Sequence, residues 1–134
     1  MNKPNDKLYQ MLFQTAAEGL ILANKQGIIE LINPRVSEMF GYKREELIGQ
    51  PVEILVPVSH KSEHVGHRKT YVEKPKARAM GANLDLNAMR KDGSTFPVEI
   101  SLNHFKIEEH LYVMALISDI TERKNAKKQL EKLN

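Results

Sequence analysis

The chain has 134 residues, which is room for one domain with a single core and not for two. It contains no cysteine, and this excludes disulfides, thiolate nucleophiles and cysteine-based metal sites. Its 20 basic and 17 acidic residues are interspersed, so a net charge of +3 gives no nucleic-acid-binding stripe, and no apolar run approaches the ~20 residues of a membrane span.

Met1 to Asp6 shows no apolar stretch after its lysine, so no secretory leader is visible and a cytoplasmic setting is expected. From Asp6 to Ala17, apolar residues at Leu8, Met11, Leu12 and Ala16 recur at helical spacing. Gly19–Asn24 and Ile28–Ile32 are short aliphatic runs around Lys25-Gln26-Gly27 and predict a β-hairpin. Asn33-Pro34 stops the second strand and caps a helix whose stripe is Val36, Met39 and Phe40, ended by Gly41. Short turns follow at Arg44–Gly49 and Pro51–Leu55. Ser59–Val72 reads as a helix with a mixed face, and Glu73–Asn83 as a loop. Three strands are predicted at Leu84–Met89, Thr95–Phe105 and Leu111–Ile120, with turns at Lys91-Asp92-Gly93 and Glu108-Glu109. Phe96, Val98, Ile100 and Leu102 alternate with more polar residues, as a strand with one buried face requires. A polar helix closes the chain from Thr121 to Asn134. This order predicts an α+β fold, an antiparallel sheet with helices packed on one face.

Three stretches carry a family resemblance. Asn33-Pro34 through Phe40-Gly41-Tyr42 with Glu45-Glu46-Leu47-Ile48-Gly49 resembles the N-terminal core motif of PAS domains. Arg90-Lys91-Asp92-Gly93-Ser94-Thr95-Phe96-Pro97-Val98-Glu99-Ile100 resembles their C-terminal motif, and Ser118-Asp119-Ile120-Thr121-Glu122-Arg123 the junction to an output helix. The resemblance runs from about Leu8 to the end. It implies a five-stranded antiparallel sheet of order 2-1-5-4-3, with helices enclosing a core that can hold a ligand. It also implies a sensory input module in a larger bacterial protein, a sensor histidine kinase or a cyclic-dinucleotide enzyme, with a ligand-free dimerisation module and a haem-based gas or redox sensor through His64 as the alternatives. The expected organisation is residues 1–17 as a dimerisation segment, 18–120 as the PAS core and 121–134 as the start of a signalling helix.

A Gly-x-Ser-x-Gly elbow, a phosphate loop and a His-Glu-x-x-His pair are all missing, so no intrinsic enzymatic activity is expected. Flavin-adduct and coumaryl-thioester chemistry need a cysteine. Non-covalent flavin is not expected either, because Pro51-Val52-Glu53-Ile54 stands where flavin-binding relatives carry an Asn-Cys-Arg-Phe-Leu-Gln type motif. His60, His64 and His67 share roughly one face of the predicted helix, and their plain reading is surface or loop contact. Aligned on Leu55-Val56-Pro57, His64 falls at the haem ligand of oxygen-sensing haem PAS domains, and Tyr71 matches a tyrosine there. Against haem, Leu84 replaces the arginine those sensors place near bound oxygen, and Met80-Gly81-Ala82-Asn83 lacks one of their glycines. A metal on the His60/His64 pair has only Glu63 as a further donor and is not expected.

The elements that enclose the core of the family place the expected pocket between the sheet and Ile54–Tyr71. Its expected lining is Leu22, Ile32, Met39, Phe40, Leu55, His64, Met80, Leu86, Ile100 and Met114. Asp119 and Thr121 are expected to couple the last strand to the last helix, with Glu122 completing a capping-box-like pattern. Ala126, Leu130 and Leu133 form one heptad, too little to hold two helices together, so the helix is expected to continue into a dimeric linker. Leu8, Met11 and Leu12 with Tyr9 or Phe13 give the first helix more apolar surface than one face can bury, and a homodimer through it is expected.

Overall fold

The computed structural model describes residues 4–58, 61–73, 78–80 and 86–133. In chain order its elements are α1 (Pro4–Thr15), β1 (Gly19–Asn24), β2 (Ile29–Ile32), α2 (Pro34–Phe40), α3 (Arg44–Leu47) and a 3-10 turn at Val52–Leu55. Then come α4 (Lys61–Glu73), β3 (Arg78–Met80), β4 (Asn87–Met89), β5 (Thr95–Ile107), β6 (His110–Asp119) and α5 (Thr121–Leu133).

The sheet is antiparallel, in the order β2-β1-β6-β5-β3, with β4 also paired to β5. β3 lies against Ile100–Leu102 and β4 against Thr95–Pro97, along the edge of β5 that β6 leaves open. Counted as one interrupted strand, they give five strands in the order 2-1-5-4-3. The sequence reading put Arg78–Met80 inside a loop. Three residues are too few to show alternation, and it is the unpaired N–H and C=O groups of β5 that make a strand of them. β5 and β6 form one long hairpin, from Val98↔Asp119 to Ile107↔His110.

The core joins the inner face of the sheet to the short helices. Ile21, Ile29 and Ile32 of the first hairpin meet Val36, Met39 and Phe40 of α2 and Val98 and Ile117 of the long hairpin, all buried. Helix α2 approaches β1 closely because position 19 has no side chain; a Cβ there would stand 3.1 Å from Val36 Cγ2. Asn33 is 1% exposed and ties three elements together. Its Oδ1 accepts from Leu20 N–H at 2.9 Å and Val36 N–H at 3.3 Å, and its Nδ2 donates to Phe13 O and Glu18 O. The Lys91-Asp92-Gly93 turn docks on the helical side, with Lys91 N–H donating to Phe40 O and Lys91 Nζ 2.5 Å from Glu46 Oε2. By contrast, α1 leaves Leu8, Tyr9, Met11 and Leu12 more than half exposed.

Candidate functional site

A cavity of about 330 Å³ lies between the inner face of the sheet and the segment from Val52 to Val72. Its sheet wall is apolar: Ile21 and Ala23 of β1, Ile100 and Leu102 of β5, and Val113, Ala115 and Ile117 of β6. Phe40, Leu55, Leu86 and Ala88 close it further, while Asn24, His64, His67, Arg68 and Tyr71 bring polar groups to its helical side.

Glu53 holds that polar side together. It sits in the 3-10 turn, 7% exposed. Arg68, one helical turn beyond His64 on α4, grips both its oxygens: Nε to Oε2 at 3.0 Å and Nη2 to Oε1 at 3.2 Å. His64 Nδ1 lies 2.6 Å from Glu53 Oε2. Arg68 Nη1 donates in turn to Gln26 O at 2.7 Å in the β1–β2 turn. That reach requires a bare backbone at Gly27, where φ is +79° and a Cβ would stand 2.4 Å from Arg68 Cδ. Helix α4 is thus pinned to both the 3-10 turn and the first hairpin. Burial penalises the charged form of Glu53, but hydrogen bonds from Arg68 and His64 outweigh it and hold the carboxyl below its ordinary range.

The residues singled out from sequence divide by strand parity. Phe40, Leu55, His64, Leu86 and Ile100 line the cavity. Leu22 and Met114 do not. They are cross-strand partners and share the outer face, because Ile21, Ala23, Val113 and Ala115 take the inner one. Ile32 of β2 and Met39 of α2 are buried in the core and do not reach the cavity. The Met80 side chain and all of His60 lie outside the described residues. Of the three histidines, His64 and His67 reach the cavity, His67 from an exposed position. Glu53 and Arg68 were missed. The available signal was a lone carboxylate inside the otherwise apolar Val52–Val56, facing a basic helix. Among the described residues, no group of three or more histidine and acidic side chains is placed to hold a metal ion.

Asp119 is the last residue of β6. Its Oδ1 accepts from Thr121 N–H at 2.9 Å and Thr121 Oγ at 2.6 Å, an Asx-turn that opens α5. Ile120 N–H donates to Pro97 O, and Arg123 pairs with Glu99, so the first turn of α5 is fastened to β5.

A family model described as PAS domain matches residues 17–122. The chain belongs to the PAS family. Among relatives of this PAS domain, the sensor protein FixL of Bradyrhizobium diazoefficiens is 27% identical over 122 residues, 91% of this chain and 24% of the relative. The oxygen sensor protein DosP of Escherichia coli is 30% identical over 115 residues, 86% of this chain and 14% of the relative. The chain therefore spans a quarter or less of these relatives. The crystal structure of the PAS domain of an HTR-like protein from Haloarcula marismortui superposes with a TM-score of 0.72 at 23% identity, covering 87% of this chain and 92% of that one. The PAS fold here is that of a sensory input domain. Among the described residues no helix is long and apolar enough to cross a membrane.

Proposed function

We propose that this PAS domain perceives a small molecule in the cavity and relays its presence through the sheet to the helix that follows. The carrying observation is that one strand reaches both places: Val113, Ala115 and Ile117 of β6 wall the cavity, and two residues later Asp119 fastens α5. A ligand pressing on that wall is coupled by continuous backbone to the output junction. Residues 18–120 are the sensing unit and 121–134 the output segment, with Asp119 and Thr121 as relay residues. Residues 1–17 are the dimerisation segment, supported by the uncovered apolar side chains of α1. The parent protein in this reading is a cytoplasmic sensor histidine kinase or cyclic-dinucleotide enzyme. Native mass spectrometry of freshly purified protein tests it: a released small molecule that is lost in Ala115→Leu is expected. A bare mass, together with a cavity that takes up no fragment by ligand-observed NMR, would favour the ligand-free dimerisation module.

A second reading, haem at His64, is favoured by one observation. With Nδ1 held by Glu53, no hydrogen bond among the described residues engages Nε2 of this cavity-lining ring, and a histidine so oriented could hold haem iron. His64 would hold the group from the helix, with Ile100, Leu102, Val113 and Ala115 against its face. Bound haem would supply reversible gas binding at iron. Leu84, in place of an arginine, argues against a polar contact to bound oxygen. A Soret band after expression with haem supply, lost in His64→Ala, is the expected result; its absence removes this reading.

A further inference from the structure

At His64 the polar side of the cavity has a definite hydrogen-bond sense. The ionised Glu53 carboxylate can only accept, so the proton in the 2.6 Å contact sits on His64 Nδ1. In the neutral imidazole this leaves Nε2 as a lone pair, and among the described residues no hydrogen bond engages it. Its neighbours are partly engaged, and the exposed His67 also lines the cavity. Arg68 spends Nε, Nη1 and Nη2 on Glu53 and Gln26 O, and its charge is balanced by the same carboxylate. Asn24 Oδ1 accepts from Gln26 N–H and Ile28 N–H. Tyr71 OH meets His104 Nδ1. The cavity thus offers an acceptor, no uncompensated cation among the described residues, and a long apolar wall.

We infer that the cavity selects a neutral, mainly apolar ligand bearing one hydrogen-bond donor, a ring hydroxyl or ring N–H, which His64 Nε2 accepts, with Glu53 as the positioning residue that fixes the tautomer. This rests on the small-molecule reading above and specifies its chemistry. A donor-less ligand leaves Nε2 dry and unpaired, and an anion meets a lone pair beside a carboxylate; both lose affinity. A donor in that position satisfies the ring at no electrostatic cost.

The test uses the full chain at pH 8, with phenol, anisole and benzoate as probes. Two-dimensional NMR of the 15N-labelled imidazoles should show a protonated Nδ1 and a bare Nε2 at His64, with Nε2 shifting on addition of phenol. Phenol should bind at least about tenfold more tightly than anisole, the usual cost of one unpaired buried group, and benzoate should bind most weakly. Glu53→Gln should free the tautomer, put proton density on Nε2 and bring the phenol-to-anisole ratio toward one. If Glu53→Gln does not fold, the probe ratio and the ring shifts of the unmodified chain decide alone. Equal binding of phenol and anisole, or a proton on Nε2, overturns the donor assignment while leaving the cavity reading intact. Failure of every probe to enter overturns both.

Discussion

At the scale of single residues, Glu53 joins the 3-10 turn to α4 by accepting from both His64 and Arg68. Its folded carboxyl is held low, so the unfolded chain binds the proton more readily. The stability it contributes is therefore fully present above the ordinary glutamate value of about 4.3 and is lost as pH falls through the lower folded value. Urea titrations at pH 6 and pH 3.5 should show a larger loss for the unmodified chain than for Glu53→Gln. At neutral pH, Glu53→Ala should cost about 2 kcal/mol by leaving the Arg68 and His64 donors unmatched, read as a lower urea midpoint. Sequence marks Glu53 only as a lone carboxylate among apolar neighbours and does not give its partners. Eleven residues separate Glu53 from His64 and fifteen separate it from Arg68, and no local pattern joins them. The other telling residues are Glu108 and Glu109, both with positive φ, 50° and 68°, in the two-residue turn of the long hairpin. That geometry suits Asn-Gly, and glutamate pays for its Cβ there. Glu109→Gly should stabilise the domain by about 1 kcal/mol, seen as a raised thermal midpoint.

At the scale of elements, the helices and turns were the most legible because their signals are local. Asn33-Pro34 marks a helix start, and Lys91-Asp92-Gly93 a turn, whatever the rest of the chain does. Asn33 also fastens α1, β1 and α2 with one side chain. Asn33→Ala should cost about 3 kcal/mol, a lost cap plus buried groups left unsatisfied, measurable by chemical denaturation. Strand parity was legible only where polarity marked it. β5 alternates apolar with polar residues, so the inward face at Ile100 could be read. Leu20 to Ala23 and Leu111 to Ile117 are apolar on both faces, and nothing in them distinguishes Leu22 from Ile21 or Met114 from Val113. The junction of β6 with α5 is local again. Asp119→Ala should cost about 1 kcal/mol and, in the full-length protein, should alter output more than ligand binding. Unchanged signalling from a folded variant would reduce Asp119 to a turn residue.

At the scale of the whole molecule, apolar surface remains on both layers. Helix α1 leaves Leu8, Tyr9, Met11 and Leu12 more than half exposed, and the outer sheet face carries half-buried Leu20, Leu22, Met114 and Leu116 beside a stacked Phe105–Tyr112 pair. If the unmodified chain is dimeric in light scattering, removing residues 1–15 should convert it to a monomer. An unchanged mass distribution would assign the dimer to another surface. The sheet that separates the cavity from this outer face is a single layer, and Met114 sits on its far side between Val113 and Ala115, which wall the cavity. Its side chain lies outside the cavity, yet its backbone is continuous with the two residues that wall it. A 13C-methyl label at Met114 would therefore act as an outside gauge of occupancy, shifting when the cavity fills. Met39, buried on the core face of α2 and not part of the cavity lining, would serve as the internal standard.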